Sequence, residues 1–242
     1  MPDSAALNRV SPGGAEEAGP ESWRIAFGGA DLVADRSGAL WWPAERTLLV
    51  ADLHLEKGSG YAARGQMLPP YDSGKSLARL SDLIDAHQPD RVVCLGDSFH
   101  DGQASQRLPD AYRATLRKLI EGRDWLWIRG NHDPEAPDDL GGTAQLEAQI
   151  GGLVLRHEAH SRTRPEVSGH YHPKASVRVR YHRVTGRCFV FDDRRLILPA
   201  FGAYTGGLSV RAPEIKRLFG ADAQVVVIGA RRMFGFPLDR LG

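Results

Sequence analysis

Apolar residues in this chain fall into short runs that stop abruptly at polar ones. From Trp23 the pattern is β-like: "WRIAFGG" and "GALWWPA" flank a stretch containing Gly and Asp, and together they predict a hairpin. Three further runs, "TLLVADLH", "RVVCLGD" and "WLWIRGNHD", each end in residues able to bind a metal. Between the first two, "DSGKSLARLSDLIDAHQPD" places Leu77, Leu80, Leu83 and Ile84 at helical spacing, with Asp72 as its cap and Pro89 just past its end. A second amphipathic stretch, "AYRATLRKLIEG", separates the second run from the third. Strand, helix, strand, helix, strand predicts an α/β sheet with crossover helices.

The second half is richer in strands. "GLVLRHE", "PEVSGH", "SVRVRYHR", "RCFVFDD", "RLILPAF" and "AQVVVIGA" are short, β-branched or aromatic, and separated by turn residues. Two sheets packed face to face, with helices outside, accommodate both halves in one domain. Residues 1–22 are rich in Pro, Gly, Ala and Glu and predict a flexible tail, leaving 23–242 as the folded part.

Composition narrows the class. The apolar share of 42% and charged share of 25% are those of an ordinary soluble protein, and a net charge of +1 means that any polyanion must be met by a local basic patch. The N-terminus has neither the basic start nor the apolar segment of a signal peptide, and no stretch approaches the roughly 20 apolar residues of a membrane span. Cys94 and Cys188 lie far apart, each inside an apolar run, and read as buried thiols in a reducing compartment. The expectation is a cytoplasmic chain.

Five places at the ends of apolar runs offer carboxylate, imidazole or amide oxygen, the ligands of hard or borderline divalent metals. They are Asp52 with His54; Asp97 in "LGDSFHD"; Asn131 with His132 in "RGNHD"; His157 in "LVLRHE"; and His170 with His172 in "SGHYHP". Taken singly each has a bland reading: an Asp-x-His pair arises by chance, "GNHD" can be a turn, and His160 competes with His157. In "GHYH", alternation would send the two rings to opposite faces of a strand unless the strand has already ended in a loop. Residues just past successive parallel strands converge on one crevice, so the five places are expected to meet.

In order and spacing, "DLH", "GDSFHD", "GNHD", "RHE" and "GHYH" resemble the motifs of the calcineurin-like metallophosphoesterases. The resemblance implies a four-layer α/β/β/α sandwich over residues 23–242. It also implies two divalent metal ions: Asp52, His54 and His172 on one, Asn131, His157 and His170 on the other, Asp97 bridging both. His132 matches the histidine that faces the substrate phosphoryl group. The implied reaction is hydrolysis of a phosphoester by in-line attack of a hydroxide shared between cations about 4 Å apart, with His132 protonating the leaving alkoxide. Oxygen and nitrogen ligation without thiolate suits Mn²⁺, Fe or Zn²⁺, and the resemblance favours manganese.

A narrower similarity, carried by "DLHLEKGSGYAARGQMLPPYDSGKSLARL" and "SGHYHPKASVRVR", is to the bacterial ligase-associated DNA damage response endonucleases, the PdeM group. It implies a manganese-dependent phosphodiesterase acting on DNA, single-stranded or damaged, and a functional association with an ATP-dependent DNA ligase, a helicase-related protein and an exonuclease-like protein. The second block lacks the Arg-containing form found in protein Ser/Thr phosphatases, which argues against a phosphoprotein substrate. Lys57 and Arg64, with Tyr61 beside them, lie in the loop after the first motif, where they could meet a phosphate backbone. The alternating Arg178, Arg180 and His182 read better as a solvated strand face than as DNA contacts, and "GARRMFGF" is undecided. His100 and Asp101 stand beside the bridging motif, as second hydrogen-bonding partners or as loop supports. Two alternatives stay open: a small-molecule phosphatase or cyclic-nucleotide phosphodiesterase with the same centre, and a scaffold subunit without catalysis, which the complete ligand set disfavours. Self-association stays open too.

Overall fold

The computed structural model describes residues 21–66, 72–133, 139–160, 163–179 and 182–241. Of the tail expected over 1–22, all but Glu21 and Ser22 lies outside these residues, and Ser22 already opens the first strand. The first sheet runs β1 (Ser22–Phe27), β2 (Ala30–Asp35), β3 (Leu40–Trp42), β4 (Thr47–Val50), β5 (Arg91–Leu95), β6 (Asp124–Ile128) and β7 (Thr143–Gln145), each strand beside its sequence neighbour. Pairing is antiparallel from β1 to β4 and parallel from β4 to β7. The expected hairpin is therefore a meander, because the segment read as a turn holds β2.

The parallel strands were legible as continuous apolar runs because both their faces are covered. Leu49, Val93, Leu95, Leu126 and Ile128 face the second sheet, while Leu48, Val50, Val92, Cys94, Trp125 and Trp127 face helices α2 (Asp72–His87) and α4 (Asp110–Ile120). These two are the helices the spacing predicts, preceded in the chain by α1 (Lys57–Ala62) and α3 (Ala104–Arg107), respectively. Asp72 is the first residue of α2 rather than a residue preceding it, and its carboxylate accepts the Gly58 N–H of α1 at 2.8 Å.

The second sheet contains β8 (Glu147–Ile150), β9 (Leu153–Arg156), β10 (Glu166–Ser168), β11 (Lys174–Val179), β12 (His182–Phe191), β13 (Arg195–Ile197), β14 (Gln224–Ile228) and β15 (Met233–Pro237). Its order is β15-β14-β12-β13-β10-β9-β8, with β11 paired to β12. β9, β10 and β13 are mutually parallel. Leu153, Leu155, Val167, Phe189, Leu196 and Val226 meet the inner face of the first sheet in one core. The expected architecture of two packed sheets flanked by helices is what the structure has, although among the described residues the helical layer outside the second sheet is reduced to α5 (Pro213–Lys216), whose Ile215 packs on Ile197 and Tyr171. The side chains of Arg178, Arg180 and His182 lie outside the described residues, whereas "MFGFP", directly after Arg231 and Arg232, forms β15.

Phe189 is fully buried where the sheets meet. Phe189→Ala is expected to destabilise the chain by about 3–5 kcal/mol, through lost burial and the cavity left behind, as read by urea denaturation.

Candidate metal centre

Each candidate residue follows a parallel strand. Asp52 and Asp97 stand two residues beyond β4 and β5, Asn131 three beyond β6, His157 directly after β9 and His170 two beyond β10. The parallel pairing of β4 and β5 continues past the strands, with Asp52 N–H donating to Gly96 O at 3.2 Å and His54 N–H to Asp97 O at 2.9 Å, so both loops travel together into the crevice. Among the described residues, five of the nine non-glycine residues with positive φ are Asp52, His54, Asp97, His170 and His172. Strain concentrated in this way marks a functional site. It also explains the alternate histidines: at φ of 72° and 46°, His170 and His172 have left the strand, so their rings need not point apart.

The donor atoms of the expected ligands form two groups, and a third group joins His54 to His100 and His132. In one, Asp52, His54, Asp97 and His172 lie within 4.8 Å of one another; in the other, Asp97 joins His157 and His170. The Nε2 atoms of His54 and His172 face each other at 3.3 Å, and His172 Nε2 is 3.3 Å from Asp52 Oδ1. On the far side of Asp97, Asn131 Oδ1 lies 2.9 Å from His157 Nε2 and 3.0 Å from His170 Nδ1, and those two nitrogens are 3.1 Å apart. All seven residues expected at a metal centre are brought together, and Asp97 belongs to both groups.

The sequence pattern of the calcineurin-like phosphoesterases matches residues 45–202. The chain belongs to this family. A crystal structure of the Pseudomonas putida nuclease MPE is similar over 89% of this chain and 100% of its own, at 29% identity and a TM-score of 0.69. Yfce, a phosphoesterase from E. coli, aligns over 79% of this chain and 98% of its own at 14% identity and a TM-score of 0.41. No curated protein matches the chain.

Calcineurin-like phosphoesterases are hydrolases that work with divalent metals, and the donor set of this one fits such ions. His157 Nδ1 is 2.9 Å from Leu95 O; a carbonyl only accepts, so Nδ1 carries the proton and Nε2 turns its free position to Asn131, His170 and Asp97. Lone pairs directed at one point repel unless a cation lies between them. Without metal a proton on Nε2 takes the place of that cation: burial works against charge on His157, yet hydrogen bonding to Asp97 and the charges of Asp52 and Asp97 outweigh it and lift its pKa to about 9. Burial would likewise raise Asp97, but its bonds and contacts with His157, His132 and His54 hold its carboxyl low. His54 goes the other way, down to about 2, through burial and the neighbouring His172, and so keeps a neutral, ligand-ready imidazole.

His132 is placed differently from the others. Its backbone N–H donates to Asp97 Oδ1 at 2.9 Å, its Nδ1 meets His100 O at 2.8 Å, and its ring is 41% exposed, which leaves Nε2 at the edge of the centre, 3.9 Å from Asp97 Oδ2. Lys57 begins α1 instead of lying in a loop; it is half-buried, and burial lowers its pKa. Arg64 is exposed in the turn after α1. Burial lowers the pKa of His100, and the charges of Lys57 and Arg64 are near enough to lower it further.

Three residues carry more of the site than their sequence context suggested. His100 is buried with its ring parallel to that of His132 at 5.7 Å and stacked on Tyr61 at 5.6 Å. Asp101, next to it, pairs with Arg107 at 2.8 Å, and Arg107 Nε donates to Ser59 at 3.1 Å, tying α3 to α1. Asp133 was not singled out at all. Its buried carboxylate accepts the N–H groups of Ser98 and Phe99 at 2.6 and 3.1 Å, directly after Asp97. The acidic residue closing "GNHD" was the available signal.

Burial, against the pull of the Phe99 N–H and together with the Asp97 charge, lifts Asp133 to about 7. Without metal, the folded chain therefore holds a proton there between roughly pH 4 and 7 that the unfolded chain has released, and stability falls as pH rises through that window. Asp133→Asn is expected to remove a contribution on the order of a few kcal/mol from this slope, seen in urea denaturation at pH 4.5 and 7.5 with chelator present. Equal slopes for parent and variant would contradict it.

Proposed function

We propose that the chain is a dimetal, manganese-dependent phosphodiesterase that cuts DNA as an endonuclease in the bacterial response to DNA damage. The observation that carries this reading is the joining of two cation-seeking clusters through Asp97. The 29% identity to a nuclease, across 89% of this chain, supports DNA as the substrate class. Asp52, His54 and His172 would hold one ion, Asn131, His157 and His170 the other, and Asp97 both. When bound, the ions supply Lewis-acid polarisation of the phosphoryl oxygens and acidify water.

The chain's own residues do the rest. The Leu95 carbonyl fixes the His157 tautomer, and Asp133 fixes the turn after Asp97, so two ligands are aimed before substrate arrives. The His100 carbonyl holds His132 by Nδ1–H, which leaves Nε2–H of the imidazolium free to protonate the departing alkoxide. Lys57 and Arg64 place positive charge beside the centre, suited to the phosphates flanking the scissile one. Functional association with an ATP-dependent DNA ligase, a helicase-related protein and an exonuclease-like protein in the cytoplasm belongs to the same reading and requires no direct contact with them.

The test is nicking of circular single-stranded DNA against the matched duplex at fixed salt, with Mn²⁺ and with chelator. Metal-dependent nicking is expected; hydrolysis confined to mononucleotides or cyclic nucleotides would overturn the assignment. Because an aryl leaving group needs no proton and a sugar alkoxide does, His132→Ala should lower DNA cleavage by about 10²–10⁴-fold while costing far less on an aryl phosphodiester. Equal losses on both substrates would remove the general-acid role.

A further inference from the structure

Behind the metal centre, residues 200–202 form a partition. On one side, Phe201 N–H donates to Ala51 O at 2.8 Å and Gly202 N–H to Asp52 O at 3.0 Å, holding the strand end that carries Asp52. On the other side, two arginines grip the same segment: Arg79 of α2 donates to Phe201 O and Arg187 of β12 to Ala200 O, with a second Arg187 bond to Ser37 O at 3.1 Å. They line a cleft of about 760 Å³ between the end of β2, α2, β12 and the end of β14, with Arg36 at its rim and Leu83 and Ile228 on its wall.

Two half-buried guanidiniums beside one another are costly unless an anion neutralises them. Among the described residues, neither has a carboxylate in ion-pair contact. Burial and the charge of Arg187 lower Arg79 to about 10, with Asp35 opposing, and burial lowers Arg187; a guanidinium keeps its charge at neutral pH. Arg79 Nε–H is buried without a partner. Asp35, Asp82 and Glu21 also line the cleft; Asp35, which accepts the Ser37 N–H at 2.7 Å, offsets part of the Arg79 charge without an ion-pair contact, and Asp82 and Glu21 are exposed. The backbone carbonyls consume only part of the donor capacity of two planar forks, and planar forks match tetrahedral oxyanions.

We propose that this cleft is a second binding site, distinct from the metal centre, for the phosphate group of a nucleotide or of a DNA strand, with Arg79 and Arg187 as its anion clamp and Arg36 at its mouth. The volume is that of a small-molecule site and exceeds what a bare phosphate fills. Half-buried Ile228 offers an apolar surface for the attached nucleoside. This site stands whether or not the metal-dependent reading of the first one holds.

The test is calorimetric binding of inorganic phosphate, of thymidine monophosphate and of a single-stranded oligothymidylate, in protein carrying Asp97→Ala so that uptake at the metal centre does not contribute. Arg187→Gln should weaken phosphate by about tenfold or more. Since Arg187 also holds Ala200, two exposed positions guard against misfolding: Thr185→Glu, which adds a negative charge at the cleft, should weaken binding, and Asp82→Asn, which removes one, should tighten it, both with unchanged thermal unfolding. If the oligonucleotide follows the same order, the occupant is a strand of DNA; if only phosphate and the mononucleotide do, it is a free nucleotide. Phosphate affinity indifferent to all three substitutions, or no phosphate binding at all, would overturn the proposal.

Discussion

Electron pairs that repel one another have been brought together in this protein at the cost of its own backbone. The Nε2 atoms of His54 and His172 face each other at 3.3 Å, His157 Nε2 and His170 Nδ1 stand 3.1 Å apart beside the Asn131 carbonyl, and a buried carboxylate lies between the pairs. Four of these residues, and Asp52 beside them, adopt left-handed φ, each at a cost of order 1–3 kcal/mol. Such an arrangement persists only where the surrounding fold holds it, and it makes chemical sense only around positive charge. The rise of His157 to about 9 is the same demand expressed through a proton.

The sandwich supplies the holding. β4, β5 and β6 bury both faces, one against the second sheet and the other against α2 and α4, so their ends cannot shift without opening one of two cores. The second sheet brings β9 and β10, also parallel, to the same crevice. Close approach is then a matter of removed atoms. A Cβ on Gly130 would sit 2.2 Å from Asp97 Oδ1, and one on Gly169 would sit 2.7 Å from Asp52 Oδ2. These contacts account for the glycines in "RGNHD" and "SGHYH", where a side chain would displace the carboxylates themselves.

The seven clustered residues were legible in the sequence because each follows an apolar run, and parallel strands buried on both faces make such runs continuous. What was hidden lacked that signature. β2 alternates buried and exposed positions within six residues and reads as a turn beside Gly28, Gly29 and Asp31. α1 contains two glycines and holds together through Asp72 and Ser73, which accept the Gly58 and Glu56 N–H groups from across a gap in sequence. β7 and β8 carry too few apolar residues to show a period. Asp133 escaped because its partners are backbone N–H groups 34 and 35 residues away, and no spacing rule reports a bond to the main chain. The arginines of the rear cleft escaped for a similar reason: their partners are carbonyls of a segment with no pattern of its own.

The central claim is that Asp97 makes one centre out of two half-centres, and the metal content of the protein tests it most directly. Equilibrium dialysis against Mn²⁺ followed by elemental analysis should find about two ions per chain in the parent. In Asp97→Ala, still folded by circular dichroism, both ions should be lost together, because the variant lacks the carboxylate that both half-centres share. A variant that retained both ions at the parent's affinity would contradict the account.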